Sequence, residues 1–317
     1  MVLALTKSHS TEEFHVRLAV PDLISNSYFP AVAAVELGTL RDEGLDVTLE
    51  LRFPVTDAAG ALRDGEIDLL AGAAHAPLYD ARGWTDTVLL AALAQHMYWF
   101  LVVPADSELE PGTWSSLRDL RIGAAPGPDD GLRRLFALSG IDVEERGIDI
   151  APVPGTDSDS VSFGVTAADA LAHGRIDAFW ANGMGAEVAV QRGVGKVILD
   201  ARRGEQEPAL TTFPALMTTR KLAEEQPDVA AAAVRALVRA QDALREDPSL
   251  ATKVATGLFP DMETGLIAGI IERDLPFYEP AISPAALAGL RDFAEWAGLP
   301  GAGTDLDTAV ATPATQP

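Results

Sequence analysis

The sequence of 317 residues contains no cysteine. Disulfide bonds, cysteine-ligated metals, thiolate catalysis and lipid anchors on cysteine are therefore excluded, and the redox compartment stays undecided. Basic residues are also scarce, with 24 Lys and Arg against 47 Asp and Glu and a formal net charge of -23. Because this charge repels phosphate backbones and anionic membrane surfaces, we do not expect a nucleic-acid-binding protein.

Long hydrophobic runs are missing as well. Near the N-terminus only Val2–Leu5 is an uninterrupted apolar run, too short for a secretory signal, and no later segment reaches the roughly 18 apolar residues of a membrane span. We therefore predict an N-terminal extension over residues 1–15 and a protein that, as written, is cytoplasmic and does not span a membrane. A signal that was removed, or a wrongly assigned start, would instead make it extracytoplasmic.

Motifs of common cofactor and catalytic sites are absent: there is no Walker loop, no HExxH zinc motif and no GxSxG nucleophile elbow. Asp157–Ser160 alternates oxygen-bearing side chains but lacks the glycine and the terminal glutamate of a calcium loop. We interpret it as a solvated loop. The sequence therefore predicts neither a cofactor nor a metal site.

What is present is an alternation of strands and helices, which is typical of a mostly parallel sheet covered by helices. Residues 61–70 read ALRDGEIDLL and residues 170–179 read ALAHGRIDAF. In both, a helix end is closed by glycine and an Ile-Asp pair enters a strand. We interpret this echo as two similar α/β units, the second over residues 114–201; a coincidence of glycine caps is the alternative.

The last third of the chain has a different pattern. Residues 219–296 show helical spacing of apolar and alanine positions with few strand signals, and prolines divide the part after Leu244 into short helices. From Gly301 onward there is no periodic apolar face. We therefore predict a disordered tail over residues 301–317.

Several short phrases occur in an order that is specific to one fold. They are Phe29-Pro30-Ala31, Gly44-Leu45-Asp46-Val47, Gly65-Glu66-Ile67-Asp68, Leu117-Arg118-Asp119-Leu120-Arg121-Ile122-Gly123 and His173-Gly174-Arg175-Ile176-Asp177-Ala178. With them, residues 16–298 resemble the substrate-binding proteins of ABC importers for nitrate, sulfonates, taurine and thiamine-pyrimidine precursors. The resemblance implies an α/β, two-lobed periplasmic-binding-protein-like type II fold, with a mostly parallel sheet flanked by helices in each lobe.

The same resemblance implies how the lobes are connected. Two hinge crossovers would fall near Leu101–Pro104 and near Pro208–Thr218. Lobe 1 would comprise residues 16–103 plus 209–300 and lobe 2 residues 104–208, with the C-terminal helices packed on lobe 1. The lobes would close over a ligand by hinge motion.

Four loops should line the crevice between the lobes, because ligands of open α/β sheets bind outside the carboxyl ends of strands, near helix N-termini. The alternative roles are caps and turns for the polar residues and core packing for the tryptophan. The candidate ligand-binding residues are Asp22, Ser25, Asn26, Ser27 and Tyr28 in the first loop, His75 in the second, Gly127 and Asp129 in the third, and Trp180 and Asn182 in the fourth. Lesser candidates are Gln95, His96, Tyr98 and Trp99.

The charge of these loops indicates a ligand type. They contain aspartates but no Lys or Arg. An anion would have to rely on helix N-termini, hydroxyls and His75. We therefore predict a neutral or amine-bearing heterocyclic or aromatic ligand, stacked on Tyr28 or Trp180.

Two functional hypotheses follow from the resemblance. The first is a small-molecule-binding protein that captures an organic ligand by hinge closure and hands it to an ABC permease. The second is a cytosolic enzyme on the same scaffold, a decarboxylase, lyase, hydrolase or desulfinase, that uses Ser27, His75 and Asp22. The stretch Ser25-Asn26-Ser27 resembles Ser-Asn-Cys of the aromatic sulfinate desulfinases, whose nucleophilic cysteine would fall at Ser27. Serine is a poorer nucleophile without a nearby base, which His75 would have to supply.

Overall fold

Two five-stranded sheets form the framework of the molecule. The computed structural model describes residues 14–113, 116–154, 162–203 and 211–311. The first sheet contains β1 Phe14–Val20, β2 Leu45–Leu51, β3 Leu69–Ala73, β4 Thr87–Ala92 and β10 Pro214–Thr219. The second contains β5 Trp99–Pro104, β6 Arg121–Ala124, β7 Asp149–Ala151, β8 Ala178–Asn182 and β9 Gly195–Asp200.

Both sheets have the same strand pattern. The first has the order β2-β1-β3-β10-β4 and the second the order β7-β6-β8-β5-β9. In each, one strand is antiparallel to its two neighbours: β10 in the first sheet and β5 in the second. This antiparallel strand is the first one after the chain crosses over from the other sheet. Each sheet therefore contains both parallel and antiparallel strand pairs. The predicted two-lobed α/β fold class is confirmed.

Helices cover both sheets and return at the C-terminal end of the chain. Strands β3 and β4 are buried at every position, which is typical of strands covered on both faces. The helical stretch after Tyr28 is split into two helices, because Gly38 adopts a left-handed conformation with φ of 80°. The helices are α1 Phe29–Glu36, α2 Thr39–Asp42, α3 Val55–Arg63, α4 Pro128–Leu138, α5 Phe163–Ala172, α6 Gly183–Gln191, α7 Arg220–Glu225, α8 Pro227–Glu246, α9 Leu250–Ala255, α10 Asp261–Asp274 and α11 Pro284–Trp296.

We call β5–β9 with α4–α6 the second lobe and the remaining elements the first lobe. The sequence predicted the first crossover at Leu101–Pro104, but these residues belong to β5, so the chain passes between the sheets from Leu93 to Tyr98. The lobe boundary predicted after residue 103 therefore falls within β5, whereas the strand pairing places all of β5 in the second sheet. The reason is that a buried apolar run such as β5 carries no signal for the sheet it joins. The return passage lies between β9 and β10.

The internal echo corresponds to a repeated polar contact. In the first lobe the Arg17 guanidinium and backbone N–H both donate to the Asp68 carboxylate, and Arg17 also reaches the Gly65 carbonyl. In the second lobe Arg121 makes the same three kinds of contact with Asp177 and with the Gly174 carbonyl. Gly65 and Gly174 both have positive φ, 73° and 64°. The two phrases therefore hold equivalent positions in equivalent sheets.

The C-terminal segment differs from the sequence prediction over residues 301–311. The backbone of Leu89 in β4 accepts from Ala311 and donates to Ala309, and Gly301 donates to the Leu78 carbonyl. Leu306 is buried in the same apolar cluster as Leu89. Disorder was predicted because no periodic face is visible, but single apolar side chains filling a preformed hollow need no periodicity.

Some predictions lie outside the described residues. They concern the N-terminal extension before Phe14, Trp114 at the start of the second unit, Asp157–Ser160, Pro208 in the second crossover, and the tail beyond Ala311. Among the helices that the structure describes, none combines the length and apolar character that crossing a membrane requires.

Candidate ligand-binding cleft

A cavity lies between the two lobes, at the carboxyl ends of strands from both sheets. Its volume is about 40 Å³, which has room for only a few water molecules. The lobes are therefore closed on each other, and an aromatic molecule can enter only after they move apart. The lining residues are Pro21, Asp22, Ser25, Tyr28, Phe53, Val55, Tyr98, Trp99, Ala125, Pro126, Pro128, Phe163, Trp180, Ala181 and Asn182.

Aromatic rings form most of the wall. Trp99 and Trp180 lie side by side on β5 and β8, with ring centroids 6.0 Å apart, and Trp180 Nε1 donates to the Pro128 carbonyl at 3.1 Å. Phe53 of the first lobe stacks on Phe163 of the second, with centroids 6.5 Å apart. These fixed ring faces can stack on a flat ligand.

Two phenols line the first-lobe side of the cavity. The hydroxyls of Tyr28 and Tyr98 are 3.0 Å apart and share a hydrogen bond, and both side chains are buried. Burial raises the pKa of Tyr28 and that of Tyr98 above the usual range, so both phenols stay neutral. The pair therefore offers hydroxyl groups to a ligand but no charge.

Asp22 is the ionisable carboxylate of the lining. Its Oδ1 accepts from the Ile24 backbone N–H at 3.0 Å, and its Oδ2 accepts from Ser162 Oγ at 3.1 Å and from Asn182 Nδ2 at 3.0 Å. Ser162 and Asn182 are the N-cap residues of α5 and α6 in the second lobe. Burial raises the pKa of Asp22 to about 7, against the lowering effect of these hydrogen bonds. Asp22 therefore connects the first lobe to two helix N-termini of the second.

Asn26 makes a second connection between the lobes. Its Oδ1 accepts from the Met184 backbone N–H at 3.1 Å, at the start of α6, and its Nδ2 donates to Asp274 at the end of α10. Asp274 also forms an ion pair with Arg202, Nη1 to Oδ2 3.1 Å, and both side chains are buried. Asn26 is thus part of a buried network that spans the lobes rather than part of the cavity wall.

The serines of the first loop have local roles. Ser25 Oγ accepts from the Ser27 backbone N–H at 3.1 Å, which stabilises the turn, and Ser25 also faces the cavity. Ser27 is buried, and its hydroxyl has no hydrogen-bond partner among the described residues. Helix α1 begins after Tyr28 without a side-chain cap, so the alternative in which Ser27 caps this helix does not occur.

His75 lies beside the cavity wall and not in it. Its Nδ1 is 2.8 Å from Thr212 Oγ1, and its ring packs edge-on against Trp99 and Phe293. Burial lowers the pKa of His75 to about 4, so the imidazole is neutral at neutral pH. No hydrogen bond joins His75 to Ser27 within the described part of the chain.

The third loop closes against the first lobe. The Gly127 N–H donates to Asp129 Oδ1 at 2.9 Å, and Gly127 has φ of 96°, which favours glycine. Burial, and then the charge of Asp130, raises the pKa of Asp129. Tyr79 of the first lobe donates to Asp130 at 2.5 Å. Asp129 therefore shapes the start of α4, which was the alternative role considered for it.

Five of the ten candidate residues line the cavity: Asp22, Ser25, Tyr28, Trp180 and Asn182. The other five, Asn26, Ser27, His75, Gly127 and Asp129, do not. Contact of any of them with a ligand stays a prediction. Of the lesser candidates, Tyr98 and Trp99 line the cavity and Gln95 and His96 do not.

Sequence reasoning missed Phe53 and Phe163. Phe53 follows the end of β2, and the rule of carboxyl strand ends could have found it. Phe163 starts α5 after a loop with no strand immediately before it, so that rule gives no signal there. Among the described residues, no group of three His, Asp or Glu side chains could hold a metal ion.

Two α/β lobes with an aromatic cleft between them define the periplasmic-binding-protein-like fold. The chain belongs to the family described as NMT1/THI5 like, whose profile matches residues 25–251. This confirms the suspected relationship to ABC-importer substrate-binding proteins. No curated protein sequence matches the chain.

Solved structures of low sequence identity share the fold over nearly the whole chain. The alkanesulfonate-binding protein SsuA from Xanthomonas axonopodis pv. citri, bound to MOPS, has a TM-score of 0.71 and 18% identity, with 95% of this chain and 99% of that chain covered. The ligand-binding component of an ABC-type import system from Staphylococcus aureus has a TM-score of 0.71 and 14% identity, with 94% and 97% covered. A cysteine-to-serine mutant of DszB in complex with biphenyl-2-sulfinic acid has a TM-score of 0.64 and 17% identity, with 95% and 97% covered.

Proposed function

We propose that this protein is a substrate-binding component of an ABC importer, which captures a small organic molecule in the interlobe cleft by hinge closure. One observation carries the proposal: the hydrogen bonds of Asp22 to Ser162 and Asn182 cross the cleft at its cavity. These bonds form only when the lobes are together, so the same residues line the cavity and hold it shut. The similarity to an ABC-type import component supports this role.

The ligand is a neutral or amine-bearing aromatic or heterocyclic molecule. The lining residues include no Lys, Arg or His, so a bare anion would find only hydroxyls, an amide and helix N-termini. The walls are rings, including Trp99, Trp180 and Phe163, which suit a flat ligand. The cleft thus differs in charge from what a sulfonate would favour, although the fold is shared with an alkanesulfonate-binding protein.

A substrate-binding protein of an importer acts outside the cytoplasmic membrane, where its closed form contacts the permease. We therefore favour an extracytoplasmic location over the cytoplasmic location expected from the sequence as written. Conversion of the cells to spheroplasts, followed by immunodetection of the protein in the released fraction, tests this location. Retention of the full-length protein with a cytoplasmic marker would count against it.

Of the three residues of the enzyme alternative, Asp22 lines the cavity, and Ser27 and His75 do not. A serine nucleophile needs a base within hydrogen-bond distance, yet the Ser27 hydroxyl has no hydrogen-bond partner among the described residues. The proposed base, His75, has its Nδ1 beside Thr212 and a pKa lowered to about 4 by burial, which makes it a weak base. We therefore favour capture over catalysis.

The direct test is native mass spectrometry of the purified protein, followed by release and identification of any bound compound. The compound is then returned to the emptied protein, and small-angle X-ray scattering measures the change in radius of gyration. We expect one compound per chain, recovered unchanged, and a smaller radius of gyration when it is bound. Stoichiometric binding that leaves the radius unchanged, or conversion of the compound, would contradict a hinge-closing binding protein. Trp296→Ala, at an exposed ring outside the cavity wall, is the control variant and should bind like wild type.

A further inference from the structure

The cavity contains a buried carboxylate that has no positively charged partner. Asp22 is 6% exposed and lines the cavity. Its hydrogen-bond donors are all neutral: the backbone N–H groups of Ile24 and Phe163, the Ser162 hydroxyl and the Asn182 amide. A carboxylate that is removed from water without a cation is costly, and proteins resolve the cost with a proton or with a positive partner.

Among the described residues, no charged side chain that lines the cavity supplies a full positive charge to Asp22. The other ionisable groups of the cavity lining are the phenols of Tyr28 and Tyr98, which are neutral. The first turns of α1, α5 and α6 contain neither acidic nor basic residues, so the N-termini of α5 and α6 contribute only partial positive charge at Asp22. Arg202, the buried arginine among the described residues, forms its ion pair with Asp274.

We infer that the cleft selects a positively charged aromatic ligand, for which Asp22 is the counter-charge and the ring faces of Trp99, Trp180 and Tyr28 form the cage. Indole and phenol rings attract cations through their negative faces, so the walls and the carboxylate favour the same charge. This inference rests on the proposed function and narrows its ligand from neutral or amine-bearing to cationic.

The inference has a thermodynamic consequence for pH. When a neutral ligand occupies the closed cleft, Asp22 is protonated at pH values below its pKa, which burial raises to about 7. With a cationic ligand the carboxylate stays ionised, because the ligand replaces the proton. The ratio of cation affinity to neutral affinity therefore rises about tenfold per pH unit up to about pH 7, and is constant above it. This ratio does not depend on how open the free protein is.

The experiment uses two ligands of one shape. The permanently charged 1-methylnicotinamide and its neutral carbon isostere, 3-methylbenzamide, are titrated into the protein by calorimetry at pH 5 and pH 8, with benzenesulfonate as the anionic probe. We expect the cation to bind more tightly than its isostere at pH 8, and the preference to fall by about a hundredfold at pH 5. In Asp22→Asn the preference should be small and independent of pH. Asp106→Asn, which removes an exposed carboxylate from the turn after β5, should behave like wild type.

The outcomes separate this inference from the proposed function. Equal or tighter binding of 3-methylbenzamide, with no pH dependence of the ratio, overturns the cationic ligand and leaves the binding function intact. Failure of all three probes to bind at any concentration up to millimolar also overturns the cationic aromatic ligand, and native mass spectrometry of the purified protein then decides the proposed function. If Asp22→Asn does not fold, the pH dependence of the ratio in the wild-type protein still decides the matter.

Discussion

Gly183 of the second lobe lies directly against the side-chain amide of Asn26 in the first. A Cβ atom at position 183 would be 2.9 Å from Asn26 Nδ2 and 3.1 Å from its Oδ1. Gly183 starts α6, and its φ is not in the left-handed region. The absence of a side chain there is therefore required by the approach of the lobes and not by the backbone.

Gly183→Ala should consequently act as a wedge in the cleft. We expect ligand affinity to fall by about tenfold or more, because overpacking of a closed interface costs about 1–3 kcal/mol, and the radius of gyration of the liganded protein to increase. Calorimetry and small-angle scattering measure these two quantities. Gly269→Ala in α10, where a new Cβ meets nothing within 4 Å, is the matched control. It should leave affinity unchanged and stabilise the fold by about 0.5–1 kcal/mol. Equal affinities for both variants would show that Gly183 does not limit closure.

Asp22 and His75 should affect stability in opposite directions as the pH falls. The pKa of Asp22 is raised from 3.8 to about 7, so the folded state binds an extra proton between these values and the free energy of unfolding increases with acid. The pKa of His75 is lowered from 6.5 to about 4, so the unfolded state binds the extra proton and the free energy of unfolding decreases with acid. In the wild-type protein the two effects largely cancel between about pH 6.5 and pH 4.

Single variants should reveal each effect. Asp22→Asn is expected to lose about 3 kcal/mol of stability between pH 6.5 and pH 4, and His75→Gln to gain a similar amount. Urea denaturation at several pH values measures both slopes. Parallel pH profiles for the two variants would mean that one of the groups is not buried in the native protein.

The repeated arginine–aspartate contacts give a matched pair of stability predictions. Asp68 and Asp177 each accept from the backbone and the guanidinium of an arginine, and these interactions lower the pKa of both carboxyls. Asp68→Ala should cost about 1–2 kcal/mol at pH 7, and Asp177→Ala less, because the Asp177 side chain is 35% exposed against 24% for Asp68.

The loss of unfolding free energy in Asp68→Ala should depend on pH. A carboxylate with a lowered folded pKa stabilises the protein above its unfolded pKa, and this stabilisation disappears as the pH falls through the folded value. The difference between Asp68→Ala and wild type should therefore shrink below about pH 4. Chemical denaturation from pH 7 to pH 3 measures it, and a cost that grows with acid would contradict the assignment.

Leu306 tests the packing of the C-terminal segment. Its side chain is 5% exposed and belongs to the apolar cluster of the first lobe. Leu306→Ala should lower the free energy of unfolding by about 2–3 kcal/mol through lost burial and a residual cavity. Met262→Ala, at a position that is 45% exposed, should change it by less than about 0.5 kcal/mol. If thermal unfolding shows the same small effect for both, the segment does not pack as described.

Local signals explain what was predictable. Gly65 and Gly174 were predicted to end helices, and both have positive φ, because the left-handed cap depends on one residue and its immediate neighbours. The alternation of strands and helices likewise depends on spacing within short windows. The helical spacing over residues 219–296 likewise corresponds to the consecutive helices α7 to α11.

The features that could not be predicted depend on contacts between residues that are distant in the chain. The polar first loop was predicted to bind ligand or to form turns, and the side chains of Asp22 and Asn26 also connect the lobes. Asp22 meets Ser162 and Asn182 at separations of 140 and 160 residues, and Asn26 meets Asp274 at 248. No local pattern encodes such pairs, because aspartate, asparagine and serine are equally common in turns.

By itself the sequence determined the two α/β halves, the glycine-ended helices and the scarcity of positive charge near the strand ends, because propensity, periodicity and composition act over short distances. Only the tertiary structure decided that the two halves exchange β5 and β10, that Asp22 and Asn26 hold the lobes together, and that Phe53 and Phe163 meet across the cleft. These features arise from the packing of one half against the other, where burial and hydrogen bonding are settled between residues that the chain keeps far apart.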